Sequence, residues 1–143
     1  MESLTIIGAG EAGTRAALHL RERSWDGEII LISQESHTPY ERPPLSKSVL
    51  NEGVSPPLLS SAKQLQELHI KFLQGRQVAN IDRQSHQLRL QNDEWFPYDK
   101  LLLATGASAR RLICTGSEHA LVLRNLDEAL AVSYTHLTLP TKA

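Results

Sequence analysis

The chain has 143 residues, a formal net charge of −1, 41% hydrophobic residues and 22% charged residues. That length suits one domain with a modest core. The balanced charge excludes a global drive towards nucleic acid or acidic membrane surfaces. No apolar run reaches the roughly 20 residues of a membrane span. The start, MESLTIIGAG, has neither a basic n-region nor a cleavable h-region, so no secretory signal is read and a cytoplasmic location is expected. The single cysteine, Cys114, can form no internal disulfide, CxxC pair or Cys-rich zinc site. His19, His37, His69, His86, His119 and His136 lack metal-ligand spacing, so no metal is expected.

In chain order, Leu4 to Ile7 reads as a short buried strand ending at Gly8. GAGEAG follows, then TRAALHLRER, in which Ala12, Ala16 and Leu20 fall four apart on one helical face. Gly27 breaks that pattern, and EIILIS reads as a second buried strand. Strand, glycine turn, helix and strand within about thirty residues predict a βαβ unit and a parallel sheet. Gln34 to about Pro57 is expected to be a long loop, with Pro39, Pro43, Pro44, Pro56 and Pro57. Ser61 and Gln64 resemble a capping box opening a short helix through Leu65 and Leu68. IKFLQG is a third strand. Residues 76–100 alternate apolar and polar around RQS and NDE, which predicts a small antiparallel meander. LLLATGA, Leu101 to Ala107, is expected to be a buried strand stopping at Gly106, and LDEALA to begin a helix.

VSYTHLTLPTKA, Val132 to Ala143, shows neither helical nor strand periodicity. One permitted back-translation of Val132 to Thr141 resembles a transposase-end sequencing adapter. Residues 132–143 are therefore set apart as a non-native tail that makes few contacts, and 1–131 as natural sequence that continues beyond Ala131.

Gly8, Gly10 and Gly13 form GxGxxG between a strand and a helix. The first glycine allows a tight turn, the second lets the backbone approach a pyrophosphate, and the third lets helix and strand pack closely. The helix N-terminus then presents N–H groups and a positive dipole end to phosphates. An acidic residue after the second strand should take ribose hydroxyls, and Glu35, beside Gln34, stands there. The competing reading is a tight turn without a ligand.

The longer segments TPYERPPLSK, LLLATGA and LRNLDEA carry a family resemblance. Across residues 4–131 the chain resembles the flavin-dependent ferredoxin reductases, the FAD- and NADH-binding partners of bacterial aromatic-ring dioxygenases and P450 systems. It is most similar to the reductase components of phenylpropionate- or biphenyl-type dioxygenases. The resemblance implies an α/β fold: a truncated Rossmann-like FAD-binding domain of glutathione-reductase type, with a parallel sheet and a small β-meander. It implies that Gly8, Gly10, Ala12 and Gly13 hold the FAD pyrophosphate. The position of Gln34 is often acidic in relatives and contacts the adenosine ribose. Here it is an amide, which leaves Gln34 and Glu35 as candidates. Arg42 and Lys47 would lie along the flavin, Val78 would reach the adenine through its backbone, and Ala104, Thr105 and Gly106 would pass close to the cofactor. Arg124 would reach it from the following segment. Lys47 is the one residue given a part in the chemistry, tuning the flavin with its charge.

Pro43 and Pro44 fix φ near −65°, which suggests an extended, stiff loop that carries Lys47 to the ring with little ordering on binding. From spacing alone, a rigid solvated loop is an equal alternative. The absence of a CxxxxC pair disfavours disulfide-reductase chemistry. The implied function is electron transfer from NADH through FAD to a ferredoxin, with the NADH site outside these residues. Two alternatives stand beside it: another FAD/NAD(P)H oxidoreductase, such as a rubredoxin or nitrite reductase component, and a non-catalytic nucleotide-binding module.

Overall fold

In the computed structural model, which describes residues 2–137, the chain divides into two compact units. One comprises Met1–Tyr40 and Leu58–Gly106, the other Glu41–Pro57 and Ala107–Ala143.

The first unit opens with β1 (Ser3–Ile7), α1 (Glu11–Glu22) and β2 (Glu28–Ile32). Its parallel sheet is completed by β3 (Ile70–Leu73) and β7 (Lys100–Leu103), in the order β3-β2-β1-β7. Between these two strands lies the antiparallel meander β4 (Val78–Asp82), β5 (Gln87–Leu90) and β6 (Trp95–Pro97). After the exposed Glu28, β2 is apolar from Ile29 to Ile32 because both its faces are covered. Ile29 and Leu31 pack with Ile6, Ala17, Leu18 and Leu65 on the helical side, while Ile30 and Ile32 pack with Ile7 and Leu88 of the meander. The period of two along the strand thus feeds two separate cores.

Two ties close this unit. Arg21, in the last turn of α1, donates to the carbonyls of Leu68, Trp25, Gly27 and His69 at 2.6–2.9 Å. Asp99 Oδ2 accepts the Ser3 backbone N–H and hydroxyl, both at 2.8 Å, and these bonds hold its carboxyl below the usual carboxylate range.

Several expectations are corrected here. The fully buried stripe of α1 is Gly13, Thr14, Ala17 and Leu18; of the expected face, Ala16 and Leu20 pack partly buried against the same core, while Ala12 is exposed. Gly13 packs closely there: a Cβ on it would stand 1.9 Å from the Gly8 carbonyl oxygen. Thr14 is buried without cost because its hydroxyl donates to the Ala9 carbonyl at 3.1 Å. The LLLATGA strand ends at Leu103, after which Ala104 N–H still donates to Ile7 O at 2.8 Å. It is not buried, since β7 is an edge strand; Leu102 and Leu103 are 36% and 58% exposed. Ser61 caps α3 (Ala62–Glu67) as expected, accepting from Gln64 N at 3.1 Å. The Gln64 side chain, however, accepts from the Ser60 hydroxyl at 2.9 Å.

The second unit holds a 3₁₀ turn, Pro43–Ser46, then α2 (Ser48–Glu52) and α4 (Leu126–Leu137). The expected loop is therefore partly helical, and ERPPLSK is not extended. Proline fixes φ but leaves ψ open, and a φ near −65° suits the first turn of a helix as well as an extended chain. Arg42 already has φ −80° and ψ −33°, which commits the segment to the helical choice. Leu45, Val49 and Ala129 are buried as α2 and α4 pack together.

α4 continues past Ala131 to Leu137, and Ser133 within it is buried. Propagation adds one bond per residue and needs no apolar period. The few contacts expected of the tail thus fail at Ser133; residues 138–143 lie outside the described residues. No helix among the described residues is long and apolar enough to cross a membrane.

Thr5 in β1 is fully buried, and its hydroxyl has no hydrogen-bond partner among the described residues. Valine keeps the branched shape without the hydroxyl. Thr5→Val should therefore stabilise the chain by about 1–2 kcal/mol, the scale of an unpartnered buried polar group. Chemical denaturation checks this, and a loss of stability would mean that the hydroxyl has a partner.

Candidate dinucleotide site

The site is built where β1 ends. Gly8 N–H donates to Ile32 O at 2.8 Å and Gly8 takes φ +108°, which turns the chain from β1 into α1. A Cβ on Gly8 would stand 2.1 Å from Ala104 O, so the turn lies directly against the backbone that follows β7. Gly8, Gly13 and Ala104 thus meet in one place.

Gly10 differs from these two glycines. It is the N-cap of α1, with an extended φ of −77°, and nothing stands within 4 Å of where its Cβ would be. No side chain caps the helix there. A 12-residue helix thus opens onto free space with uncapped N–H groups and a backbone that offers close approach. These features fit a pyrophosphate. Ala12, in the first turn, is exposed.

Beside this turn lies a cleft of about 390 Å³, lined by Ile7, Val78, Ala79, Asn80, Ile81, Leu103 and Thr105. It brings together Val78 and Thr105, far apart in sequence, with the end of β1. Apolar side chains with the polar Asn80 and Thr105 among them suit a flat heteroaromatic base. Gly106, the last of the expected contact residues in the segment after β7, is exposed with φ +69°.

Ser33 follows β2, and its N–H donates to Leu73 O at 2.9 Å. Beyond it, Gln34 is exposed and Glu35 is half-buried. Glu35 N–H donates to Ser33 Oγ at 3.2 Å, and its carbonyl accepts from Gly75 N at 3.0 Å. Tyr40 donates its phenol to Glu35 Oε2 at 2.5 Å. Nothing in the spacing of PYERPPLSK signals this contact, because it is made within an irregular loop.

In the second unit, Arg42 Nη1 donates to the Arg124 carbonyl at 2.7 Å, and Arg124 Nε donates to the Ala107 carbonyl at 2.9 Å. LRNLDEA is in physical terms a capping box. Asn125 Oδ1 accepts from Glu128 N at 2.9 Å, while Glu128 Oε2 accepts from Arg124 N at 2.7 Å and Asn125 N at 3.2 Å. The cap that starts α4 therefore also fixes the Arg124 backbone, a role the sequence reading missed. Lys47 is exposed at the junction of the 3₁₀ turn and α2, where its N–H donates to Pro44 O at 3.0 Å.

Residues 2–139 match the family described as pyridine nucleotide-disulphide oxidoreductase. The chain belongs to this family. It is 44% identical over 131 residues to the 3-phenylpropionate/cinnamic acid dioxygenase ferredoxin–NAD(+) reductase component of Photorhabdus laumondii, covering 90% of this chain and 33% of that protein. It is 40% identical over 131 residues to a rubredoxin–NAD(+) reductase of Pseudomonas putida, covering 89% and 34%. Among solved structures, the ferredoxin reductase for the CYP199A2 system of Rhodopseudomonas palustris superposes with a TM-score of 0.87 at 36% identity, covering 94% of this chain and 34% of the other. The chain thus spans about a third of the length of the relatives it matches. Membership in this family implies FAD and NADH as cofactors.

Gly10 separates cofactor grip from folding. Gly10→Val meets open space and an extended backbone, so its folding cost should be only that of a poorer N-cap, on the order of 1 kcal/mol. FAD affinity should fall at least about tenfold, because the side chain stands where a pyrophosphate would approach. Calorimetric titration of the variant with FAD, beside thermal unfolding, checks both; undiminished affinity would place the phosphates elsewhere.

Proposed function

We propose that the chain is the cofactor-grasping part of an NADH-dependent flavoprotein reductase that passes electrons to a ferredoxin serving an aromatic-ring dioxygenase. The observation that carries this reading is the uncapped α1 N-terminus over an open Gly10, in a chain with 44% identity to a dioxygenase ferredoxin reductase component. A cytoplasmic location suits a protein that draws on the NADH pool and carries an exposed, unbridged Cys114.

In this reading Gly8, Gly10, Ala12 and Gly13 with the α1 N-terminus hold the pyrophosphate. Glu35 accepts from the adenosine ribose. The Val78 backbone, at the cleft, would meet the adenine; Thr105 also lines the cleft, and Ala104 and Gly106 flank it close to the cofactor. FAD, when bound, supplies the hydride and single-electron chemistry. Arg42 offers a fork suited to phosphate, and Arg124 is fixed through the α4 cap. Lys47 places a mobile positive charge for the flavin ring, stabilising the negative charge the ring gains on reduction. A rubredoxin as acceptor is the second reading, favoured by the 40% identity to a rubredoxin reductase.

The test uses the complete gene product. NADH should reduce its flavin, and the reduced protein should pass electrons to a purified [2Fe–2S] ferredoxin faster than to a rubredoxin; the reverse order would favour the second reading. Lys47→Met deletes the charge and keeps much of the stem. It should lower the flavin potential and slow reduction by an amount on the order of 1–3 kcal/mol, the scale of one charge-assisted hydrogen bond. Thermal stability should change little because Lys47 is exposed. Unchanged potential and rate in stopped-flow and potentiometric titration would leave Lys47 as a solvated surface residue.

A further inference from the structure

The residue that holds Glu35 is itself held more firmly than a loop residue needs to be. Tyr40 is 6% exposed. Its backbone forms an isolated antiparallel bridge with Leu58, and beside it Leu59 N–H donates to Pro39 O at 2.8 Å. The His37 ring stands edge-on to the phenol, with centroids 6.3 Å apart and planes at 82°. Residues 39–40 and 58–59 therefore act as a clamp where the chain leaves and re-enters the first unit. The phenol projects from that clamp onto Glu35 Oε2 at 2.5 Å.

Glu35 is fixed at its backbone as well, through Ser33 Oγ and Gly75 N–H. With its backbone fixed at both N–H and carbonyl and its carboxylate held by the Tyr40 phenol, half-buried Glu35 has lost rotamer freedom before any ligand arrives. Gln34, by contrast, is exposed, and no described residue holds its amide. A carboxylate only accepts hydrogen bonds and has about four acceptor sites, so it can take a phenol and a sugar hydroxyl together. Preorganisation of this kind strengthens binding by cutting the ordering cost.

We propose that Tyr40 is a positioning residue that orients Glu35 towards a hydroxyl of the adenosine ribose, so that the Tyr40–Glu35 couple, not Gln34, reads the sugar. This rests on the dinucleotide reading above. It adds a residue that does not touch the cofactor and acts only through another side chain.

The experiment measures binding of two probes, FAD and its 2′,3′-dideoxyadenosine analogue, to the 143-residue chain and its variants by flavin fluorescence. The unsubstituted chain should prefer FAD by about tenfold or more, the worth of one charge-assisted hydrogen bond. Tyr40→Phe keeps the buried ring and removes only the hydroxyl. It should lose most of that preference, with affinity for the analogue unchanged. Glu35→Gln, which leaves Tyr40 in place, should lose it too, and this variant carries the test if Tyr40→Phe does not fold. Equal weakening of both probes by Tyr40→Phe would mean that Tyr40 only supports the fold, which overturns the proposal. Unaltered preference in Tyr40→Phe or in Glu35→Gln would also overturn it. Binding of neither probe by the unsubstituted chain would instead refute the dinucleotide reading on which it stands.

Discussion

Three stretches of backbone meet where no side chain fits. The Gly8 turn lies against Ala104 after β7, and α1 lies against Gly8 through Gly13, with hypothetical Cβ atoms at 2.1 Å and 1.9 Å from carbonyl oxygens. These contacts bring the ends of β1 and β7 and the start of α1 to one point. Everything proposed for the cofactor starts there. Had the helix stood a side chain further out, its N-terminus would not face the space above Gly10. The same closeness explains why the buried face of α1 begins with glycine and threonine rather than with a large apolar residue.

From that point the two cores follow. The sheet is apolar on both sides, with helices on one and the meander on the other, so the strands are held rigidly up to their C-terminal ends. Ligand contacts in such folds gather just beyond those ends. Val78 and Thr105 come together at the cleft because β4 and β7 both reach the end of β1. Glu35 follows β2, the direct neighbour of β1. The site is therefore a consequence of strand order, and its rigidity is that of the sheet.

How much of this could be read from the sequence depended on how local the cause was. GxGxxG between an apolar run and a helix is local, and the βαβ unit, the meander and the Ser61 cap all stood in the structure where the residues placed them. ERPPLSK was misjudged as extended because proline determines only one of two dihedrals, and the Arg42 backbone decided the other. The composition of LLLATGA says apolar and hence buried. Only the strand order reveals it as an edge. Tyr40 escaped altogether, since its contact with Glu35 depends on a bridge to Leu58, eighteen positions away in the chain. Arg124 could be named from the motif, but the Asn125–Glu128 cap that fixes it appeared only with the coordinates of those side chains.

The central claim is that the open Gly10 cradle at the start of α1 grips the pyrophosphate of a dinucleotide. Competition binding tests it most directly. With FAD bound to the chain and followed by its fluorescence, ADP, which carries the pyrophosphate and adenosine half, should displace it. Riboflavin, which carries neither, should bind far more weakly than FAD. Bound FAD that ADP leaves in place, or riboflavin that binds as tightly as FAD, would contradict the account.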